Sequence, residues 1–205
     1  AVDGYTVSYG EKNQIVNTIS QEMIEVKGQK VWNTVDGETV PEITVELLRD
    51  GKIIDSIVLK DGETEISFKN LPRYAAGEIR EADGTLIPAD GHEFVYTLAE
   101  KEVKGYTSSV DQETYTITNT AQTTSLTVTK SWTDGQGNVL DETLVPDELQ
   151  VQLLRNDTEY GEAVTLTKEE GWSYTFESLP VYDENEQPYR YAVREAAAEG
   201  FTLQS

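Results

Sequence analysis

The chain has 205 residues and carries 16 lysines and arginines against 38 aspartates and glutamates, which gives a formal net charge of −22. A charge this negative argues against nucleic acid or an anionic membrane as a partner, because both repel it. The chain has no cysteine and a single histidine, His92, which excludes disulfides and zinc–thiolate sites and argues against a catalytic triad or a multi-histidine metal centre.

Strand-forming residues dominate the composition. The chain has 11 Tyr, 4 Phe and 3 Trp, and β-branched and aromatic side chains fit a pleated, half-buried surface. Apolar and polar residues alternate over 115–118 and 125–129, which predicts strands, while Asp-Gly pairs at 50–51, 61–62 and 134–135 predict turns. No run approaches the roughly 20 apolar residues that a membrane helix needs. The sequence therefore predicts an all-β protein built from β-sandwiches.

The first 18 residues predict a fragment of a repeated unit. Gly4-Tyr5-Thr6 occurs again at 105–107, and Ile15-Val16-Asn17-Thr18 matches 117–120 in the position of its Ile, Asn and Thr. We therefore expect residues 1–18 to be the C-terminal strand fragment of a preceding repeat, followed directly by a complete one.

Residues 21–120 predict that complete repeat. Its motifs, in chain order, are Lys-Val-Trp at 30–32, an apolar strand at 45–49, Phe-Lys-Asn-Leu-Pro-Arg-Tyr at 68–74, and a Tyr-to-Glu strand at 96–100 that leads to Gly-Tyr-Thr. A closing strand follows and contains Asn119.

Residues 123–205 repeat the same motifs in the same order. The matching segments are 130–132, 151–155, 176–182, 191–195 and 200–202. This copy lacks the Gly- and Ala-rich insertion found at 75–93, and it stops before a counterpart of the strand that contains Asn119, so we expect a sandwich without its last strand. Repeats of about 100 residues fold as independent domains, and the short boundaries predict modules arranged end to end.

Three polar residues of the complete repeat continue the inward faces of their strands. Residues two apart on a strand share a face, and by this rule Lys30, Glu100 and Asn119 lie on the apolar faces of their strands. Burying a cation, a carboxyl or an amide without a partner is costly. We therefore expect the three side chains to meet in the core.

Three such groups, buried together, can form a covalent bond. Burial lowers the pKa of a lysine and favours a neutral amine beside a protonated acid. The neutral amine is a nucleophile, and the acid can polarise the amide carbonyl and move protons. Contact between the groups supplies an effective molarity of about 10⁵ M or more. The product is an amide cross-link with loss of ammonia, formed once per chain, so the sequence predicts no enzyme that turns over a substrate.

Plainer interpretations stay open at this point. The three groups can instead form a buried salt bridge with a hydrogen bond. Lys27 is a second candidate amine, although its position on the strand faces outward. The oxygen-rich loop at 134–138 lacks the spaced carboxylates of a calcium loop, so we interpret it as a turn. We interpret His92 as an exposed loop residue, and we expect no metal and no cofactor.

The ordered motifs Lys-x-Trp, Leu-Pro-x-Tyr, Tyr-x-x-x-Glu, Gly-Tyr-Thr and Thr-Asn-Thr resemble the CnaB-type domains of Gram-positive surface adhesins and pilins. The resemblance covers essentially the whole chain and implies β-sandwiches of inverse immunoglobulin-like topology. It also implies an isopeptide bond between a first-strand lysine and a last-strand asparagine, promoted by a buried acid. In the complete repeat these residues are Lys30, Asn119 and Glu100.

The same resemblance assigns Lys130 and the acid Glu195 in the last repeat, where the asparagine position is absent, and Asn17 alone in the first fragment. Strand addition is a known way to fill a sheet edge. We therefore predict that Asn17 of one chain enters the groove beside Lys130 and Glu195 of a neighbour and builds head-to-tail chains. The alternative is an arbitrary boundary with a frayed front end.

The function that the resemblance implies is mechanical. We expect a stalk segment of a bacterial surface adhesin or pilin-like protein, extracellular and anchored to the cell wall by a segment outside this fragment. Its expected partners are neighbouring repeats and, through the full-length adhesin, a host extracellular matrix protein, with no nucleic acid and no membrane. The alternative is a host-matrix ligand-binding module that uses the 75–93 insertion loop. A glycan-cleaving enzyme needs a pair of carboxyls in a cleft, and no such pair stands out.

Overall fold

The structure is a computed structural model that describes residues 2–60 and 62–197, with Glu142 described by its backbone alone. Asp61, in the turn predicted at 61–62, and the motif predicted at 200–202 therefore lie outside the described residues. The chain divides into two compact units, residues 1–120 and 121–205. Almost all regular structure in the described part is β-strand, which confirms the predicted all-β fold class.

The strands of the first unit are β1 (Tyr5–Tyr9), β2 (Ile15–Ile19), β3 (Met23–Asn33), β4 (Ile43–Arg49), β5 (Lys52–Leu59), β6 (Glu65–Pro72), β7 (Tyr96–Glu100), β8 (Tyr106–Asp111) and β9 (Thr116–Ala121). The strands of the second unit are β10 (Thr123–Thr129), β11 (Glu148–Arg155), β12 (Thr158–Glu159), β13 (Val164–Thr167), β14 (Ser173–Pro180) and β15 (Tyr191–Glu195). Short 3₁₀ turns occur at Glu11–Asn13 and Glu142–Leu144.

The first unit is a β-sandwich. One sheet has the strand order β6-β3-β9-β8 and the other has the order β5-β4-β7, while β1 and β2 form a separate hairpin. Along β4 the residues alternate between buried and half-buried, so Ile43, Val45 and Leu47 face the core. They pack with the inward residues of the other strands, including Val26, Ile66, Phe68, Leu98 and Ile117.

The first and last long strands of this sandwich are neighbours. β3 and β9 run parallel, with Lys30 opposite Ile117 and Trp32 opposite Asn119. Strand β9 continues from β8, and the two form an antiparallel pair that we call the closing hairpin. The pairing brings positions 30 and 119, far apart in sequence, onto one inward face.

The second unit repeats this plan in the part of the chain that the structure describes. β10 pairs with β14, and β11 lies between β15 and the strands β12 and β13. The pair Leu126 and Phe176 corresponds to Val26 and Phe68 of the first unit, and each pair follows a register shift at the same point of the strand. Among residues 122–197, β10 has no strand partner other than β14.

A buried arginine anchors the insertion between β6 and β7. Arg49, at the end of β4, donates a hydrogen bond from Nη2 to the carbonyl oxygen of Arg80 at 3.2 Å and lies 3.5 Å from a carboxylate oxygen of Glu81. Its guanidinium group also stacks 4.8 Å from the ring centre of Phe94. The insertion is therefore held against the sandwich by contacts with a buried side chain.

His92 lies in the same insertion and touches two carboxylates. Its Nδ1 is 2.6 Å from Asp90 and its Nε2 is 3.2 Å from Asp50, so the ring links the insertion to the turn after β4. The side chain is 40 % exposed, in agreement with the interpretation of His92 as an exposed loop residue. The hydrogen bond to Asp90 is the largest cause that raises the pKa of His92 above its ordinary value.

We expect His92→Gln to lower the unfolding temperature more at about pH 5.5 than at about pH 8.5. A group whose pKa is raised by folding stabilises the protein when the pH lies below its unfolded value, near 6.5, and this stabilisation is lost as the pH rises through the folded value. Thermal unfolding of both proteins, followed by circular dichroism at each pH, measures the difference. Equal losses at both pH values would contradict the expectation.

Gly28 lets the closing hairpin approach β3. A Cβ atom added at Gly28 would lie 2.2 Å from the carbonyl oxygen of Tyr115, which accepts a hydrogen bond from the backbone N–H of Gln29 at 3.1 Å. Tyr115 has a φ of 52° in the turn that leads into β9. The equivalent residue of the second unit, two before its lysine, is Val128.

We expect Gly28→Ala to destabilise the first unit by about 1–3 kcal/mol, because the added methyl group meets backbone that cannot move aside cheaply. Gly135→Ala is the matched control, since Gly135 has open space around its Cβ position and no positive φ. Chemical denaturation of both variants measures the free energies of unfolding. Equal stabilities of the two variants would show that the close approach of Tyr115 is not a constraint.

Candidate functional site

Lys30 and Glu100 form an ion pair inside the first sandwich. Their side chains are 0 % and 1 % exposed, and Lys30 Nζ lies 3.3 Å from Glu100 Oε1. Lys30 comes from β3, in one sheet, whereas Glu100 ends β7 in the other sheet, opposite Val45 of β4. The ion pair therefore crosses the core between the two sheets.

Trp32 closes one side of this pair. Lys30 Nζ lies 4.2 Å from the ring centre of Trp32, and Tyr106 of the closing hairpin packs edge-on against the same indole, with 5.0 Å between ring centres. A cation over an aromatic face is attracted by the ring, more strongly where water is excluded. Trp32, two residues after Lys30, shares its face of β3 and is part of the wall of the site.

Asn119 is fully buried at 0 % exposure and lies on the inward face of β9. Because β3 and β9 are in register with Trp32 opposite Asn119, Asn119 and Lys30 are diagonal neighbours on that face. Neither Oδ1 nor Nδ2 of Asn119 has a hydrogen-bond partner among the described residues. A buried amide without partners is costly, so an ordinary structural role explains this residue poorly.

The environment favours a neutral amine. Burial lowers the pKa of Lys30, and this effect outweighs the opposing influence of the Glu100 carboxylate. The site thus brings a buried amine of lowered pKa against a carboxyl group, on the same face as a side-chain amide.

The alternative amine lies outside the site. The side chain of Lys27 is 73 % exposed and pairs with Glu25 at 3.3 Å. Its outward orientation follows from the alternation along β3, which turns odd and even positions to opposite faces.

The second unit contains an equivalent pair that is more exposed to solvent. Lys130 Nζ lies 2.8 Å from Glu195 Oε2, with side chains that are 18 % and 19 % exposed, and 4.7 Å from the ring centre of Trp132. Glu195 stands opposite Val151 of β11, as Glu100 stands opposite Val45.

A pocket of about 340 Å³ adjoins this second pair. Besides the two charged residues, its apolar walls come from Val128, Leu149, Val151, Leu166 and Val193. In the first unit β9 lies beside β3 at the corresponding place, and the side chains of Lys30 and Glu100 are 0 % and 1 % exposed.

Asn17, the second predicted asparagine, is exposed on the opening hairpin, which consists of β1 and β2. It stands opposite Val7 in that hairpin. Its predicted role as a partner of Lys130 in another chain stays a prediction.

Gln112, in the turn of the closing hairpin, is not among the residues predicted from the sequence. Its Nε2 donates a hydrogen bond to the carbonyl oxygen of Leu98 at 2.8 Å, and its Oε1 accepts one from the backbone N–H of Leu98 at 3.0 Å. The side chain thus occupies the free edge of β7 two residues before Glu100. No sequence signal identifies it, because a polar residue in a turn is ordinary.

In the Asp-Gly loop at 134–138, the carboxylate of Asp134 is hydrogen-bonded to residues of the same loop. Asp134 Oδ1 accepts hydrogen bonds from the backbone N–H groups of Gln136 and Asn138 at 2.8 and 2.9 Å, as in a turn. Over residues 2–60 and 62–197, no group of three or more His, Cys, Asp or Glu side chains could hold a metal ion. In the same residues no helix has the length and apolar character to cross a membrane.

Comparison with known families gives one matching family model, described as the Cna protein B-type domain. It matches residues 26–81, 85–120 and 126–205, a range that includes the lysines and acids of both units. The collagen adhesin of Staphylococcus aureus is 28% identical over 210 residues, which cover 98% of this chain and 16% of that protein. The chain therefore spans about one-sixth of the length of this relative.

Two solved structures from Staphylococcus aureus are also similar. A single B repeat unit (B1) of the collagen binding surface protein is 28% identical, covers 88% of this chain and 90% of that chain, and has a TM-score of 0.38. Two B repeat units (B1B2) of the collagen binding protein are 27% identical, cover 97% and 51% of the two chains, and have a TM-score of 0.41.

Proposed function

The chain belongs to the family of Cna protein B-type domains, and from this membership we propose that it is a stalk segment of a bacterial surface adhesin or pilin-like protein. Its work is to hold a binding region at a distance under load. The observation that carries the proposal is the dry pair of Lys30 and Glu100, which shares a face with the unpartnered amide of Asn119.

We propose that these three residues form an isopeptide cross-link. The neutral amine of Lys30 attacks Cγ of Asn119, and a C–N bond forms as the bond from Cγ to Nδ2 breaks. Glu100 in its protonated form donates its proton to the departing nitrogen, which leaves as ammonia, and takes up in its place the proton that the attacking amine loses. The reaction needs no cofactor, and the product removes the unpartnered amide from the core.

The position of the cross-link suits a load-bearing role. The chain enters the sandwich through β3 and leaves it through β9, and these strands are parallel neighbours, so tension on the two ends shears one strand past the other. A bond between Lys30 and Asn119 carries that load directly. It also closes a loop of about 90 residues, for which loop-closure entropy gives about 4–5 kcal/mol of stabilisation.

For the second unit we propose that the groove beside Lys130 and Glu195 receives a strand that presents an asparagine. Asn17 of a second chain is the donor predicted from the sequence, and it would link copies head to tail. The opening hairpin has to adjust its turn to bind there, because Asn13 takes the place of Tyr115 and Val128 takes the place of Gly28.

We further propose that the protein acts outside the cell, attached to the cell wall, and that a host matrix protein binds the full-length molecule rather than this segment. The name of the staphylococcal relative describes that protein as a collagen adhesin, which supports this class of partner. The use of residues 75–93 as a ligand-binding loop stays a prediction, and binding to immobilised matrix protein that is lost when the loop is deleted would support it.

The cross-link predicts a mass change. The denatured wild-type chain should weigh less than its sequence mass by one ammonia, and Lys30→Ala, Glu100→Gln and Asn119→Ala should each restore the sequence mass. Lys27→Ala is the matched control, and it should keep the deficit because Lys27 faces solvent. Intact-mass spectrometry in denaturant makes the measurement, with near-UV circular dichroism to verify that each variant folds. A wild-type chain at its full sequence mass would exclude the bond.

Linkage between chains predicts a ladder on a denaturing gel. After incubation at high concentration, the wild-type protein should give dimers and higher multiples that survive boiling, whereas Asn17→Ala and Lys130→Arg should remain monomeric. Lys12→Ala, in the turn of the same hairpin, is the control that should keep the ladder. Monomer alone in the wild type would exclude the covalent form of this proposal.

A further inference from the structure

The insertion between β6 and β7 carries the opening hairpin on its surface. The residues of the insertion that contact the hairpin and the segment after it are 74–77 and Gly91, and we call them the hairpin socket. Ala75 and Ala76 of the socket are 1 % and 4 % exposed, although they lie in a connection between strands. Gly4 of the hairpin is buried as well.

Two glycines allow this close approach. A Cβ atom added at Gly4 would lie 2.6 Å from Cβ of Ala76. A Cβ atom added at Gly91 would lie 2.3 Å from a methyl group of Val2 and 2.8 Å from the backbone oxygen of Asp3. The backbone at each glycine therefore lies closer to the opposite surface than a residue with a Cβ atom could lie.

Hydrogen bonds also join the socket to the hairpin and to the segment that follows it. The backbone N–H of Gly77 donates to the hydroxyl of Tyr5 at 2.9 Å. Gln21, two residues after β2, accepts a hydrogen bond from the backbone N–H of Tyr74 at 3.1 Å and donates one to the carbonyl oxygen of the same residue. Polar groups of the socket are therefore paired with the hairpin and with the segment that follows it.

An isolated two-stranded hairpin is marginally stable in water, so the opening hairpin depends on the socket for its order. Its sequence resembles that of the closing hairpin, where Gly105 and Tyr106 occupy the positions of Gly4 and Tyr5. In the closing hairpin Tyr106 packs on Trp32 of its own sandwich. In the opening hairpin the tyrosine hydroxyl instead reaches across to the next repeat.

We propose that the hairpin socket is the docking surface for the preceding repeat, and that its occupant is a closing hairpin that begins with Gly-Tyr. The inference rests on the proposed assignment of residues 1–18 to a preceding repeat. The insertion then acts as a joint that sets the orientation between two modules. The second unit has a short loop, closed by the bridge between Tyr182 and Pro188, in place of this insertion.

Glycine substitutions test the socket. Gly91→Ala should raise the hydrogen-exchange rates of the backbone amides in β1 and β2 by about tenfold or more, because the hairpin is displaced and opens locally. Gly84→Ala is the matched control: Gly84 lies in the same insertion with a φ of 87°, close to the 82° of Gly91, but has open space around its Cβ position. It should leave those rates unchanged.

The measurement is amide exchange of the full chain followed by NMR, with Gly4→Ala as a second variant that fills the contact from the hairpin side. Faster exchange in both Gly91→Ala and Gly4→Ala, but not in Gly84→Ala, supports the socket. Unprotected hairpin amides in the wild type, or equal rates in Gly91→Ala and Gly84→Ala, would overturn it.

The outcome is separable from that of the cross-link. The exchange rates report on β1 and β2, whereas the ammonia deficit reports on Lys30 and Asn119, so a chain without the deficit can still have a working socket. Displacement of the hairpin in Gly91→Ala should leave the mass deficit unchanged. Retention of the near-UV circular dichroism signal of the aromatic side chains shows that the protein stays folded.

Discussion

The ion pair of Lys30 and Glu100 is the constraint on which the first sandwich depends. An amine and a carboxyl group withdrawn from water are costly unless they are paired, and these two come from opposite sheets at 0 % and 1 % exposure. The sheets must therefore stay in one relative position for the pair to form. The closing hairpin excludes water from the pair, and Gln112 and Tyr115 of its turn also bond to the free edge of β7, at Leu98 and Tyr96. The closing hairpin thus buries the pair of Lys30 and Glu100 and joins the two sheets of the sandwich through the same contacts.

The second unit contains a more exposed version of the same pair. Glu195 has a strand neighbour equivalent to that of Glu100, and Lys130 contacts the equivalent tryptophan, yet the two side chains are 18 % and 19 % exposed. In the first unit β9 lies beside β3 at this place, whereas among residues 122–197 β10 pairs with β14 alone. An apolar pocket lies beside this polar pair, and this surface is the one that the proposed strand would cover.

Much of this could be predicted from the sequence, because strand alternation is a strong local signal. The inward positions of Lys30, Glu100 and Asn119 follow from counting by two along three strands, and the internal repeat identifies the equivalent residues of the second unit. Gln112 and the hairpin socket could not be predicted in the same way. They depend on which turn meets which edge after the chain has folded, and small residues such as Ala76 and Gly91 carry no signal that distinguishes a docking surface from an ordinary loop.

The exchange of Gly28 for Val128 bears on how a chain of similar modules avoids mispairing. Related sandwiches joined in series keep each other's closing strands at high local concentration, which is the condition that favours domain swapping. Gly28 admits a turn whose carbonyl oxygen approaches β3 closely, as that of Tyr115 does, whereas the side chain of Val128 blocks the same approach to β10. The two sandwiches therefore differ, two residues before the lysine, in the turn that can lie against their first strand, and a difference of this kind favours one closing strand over another in each module.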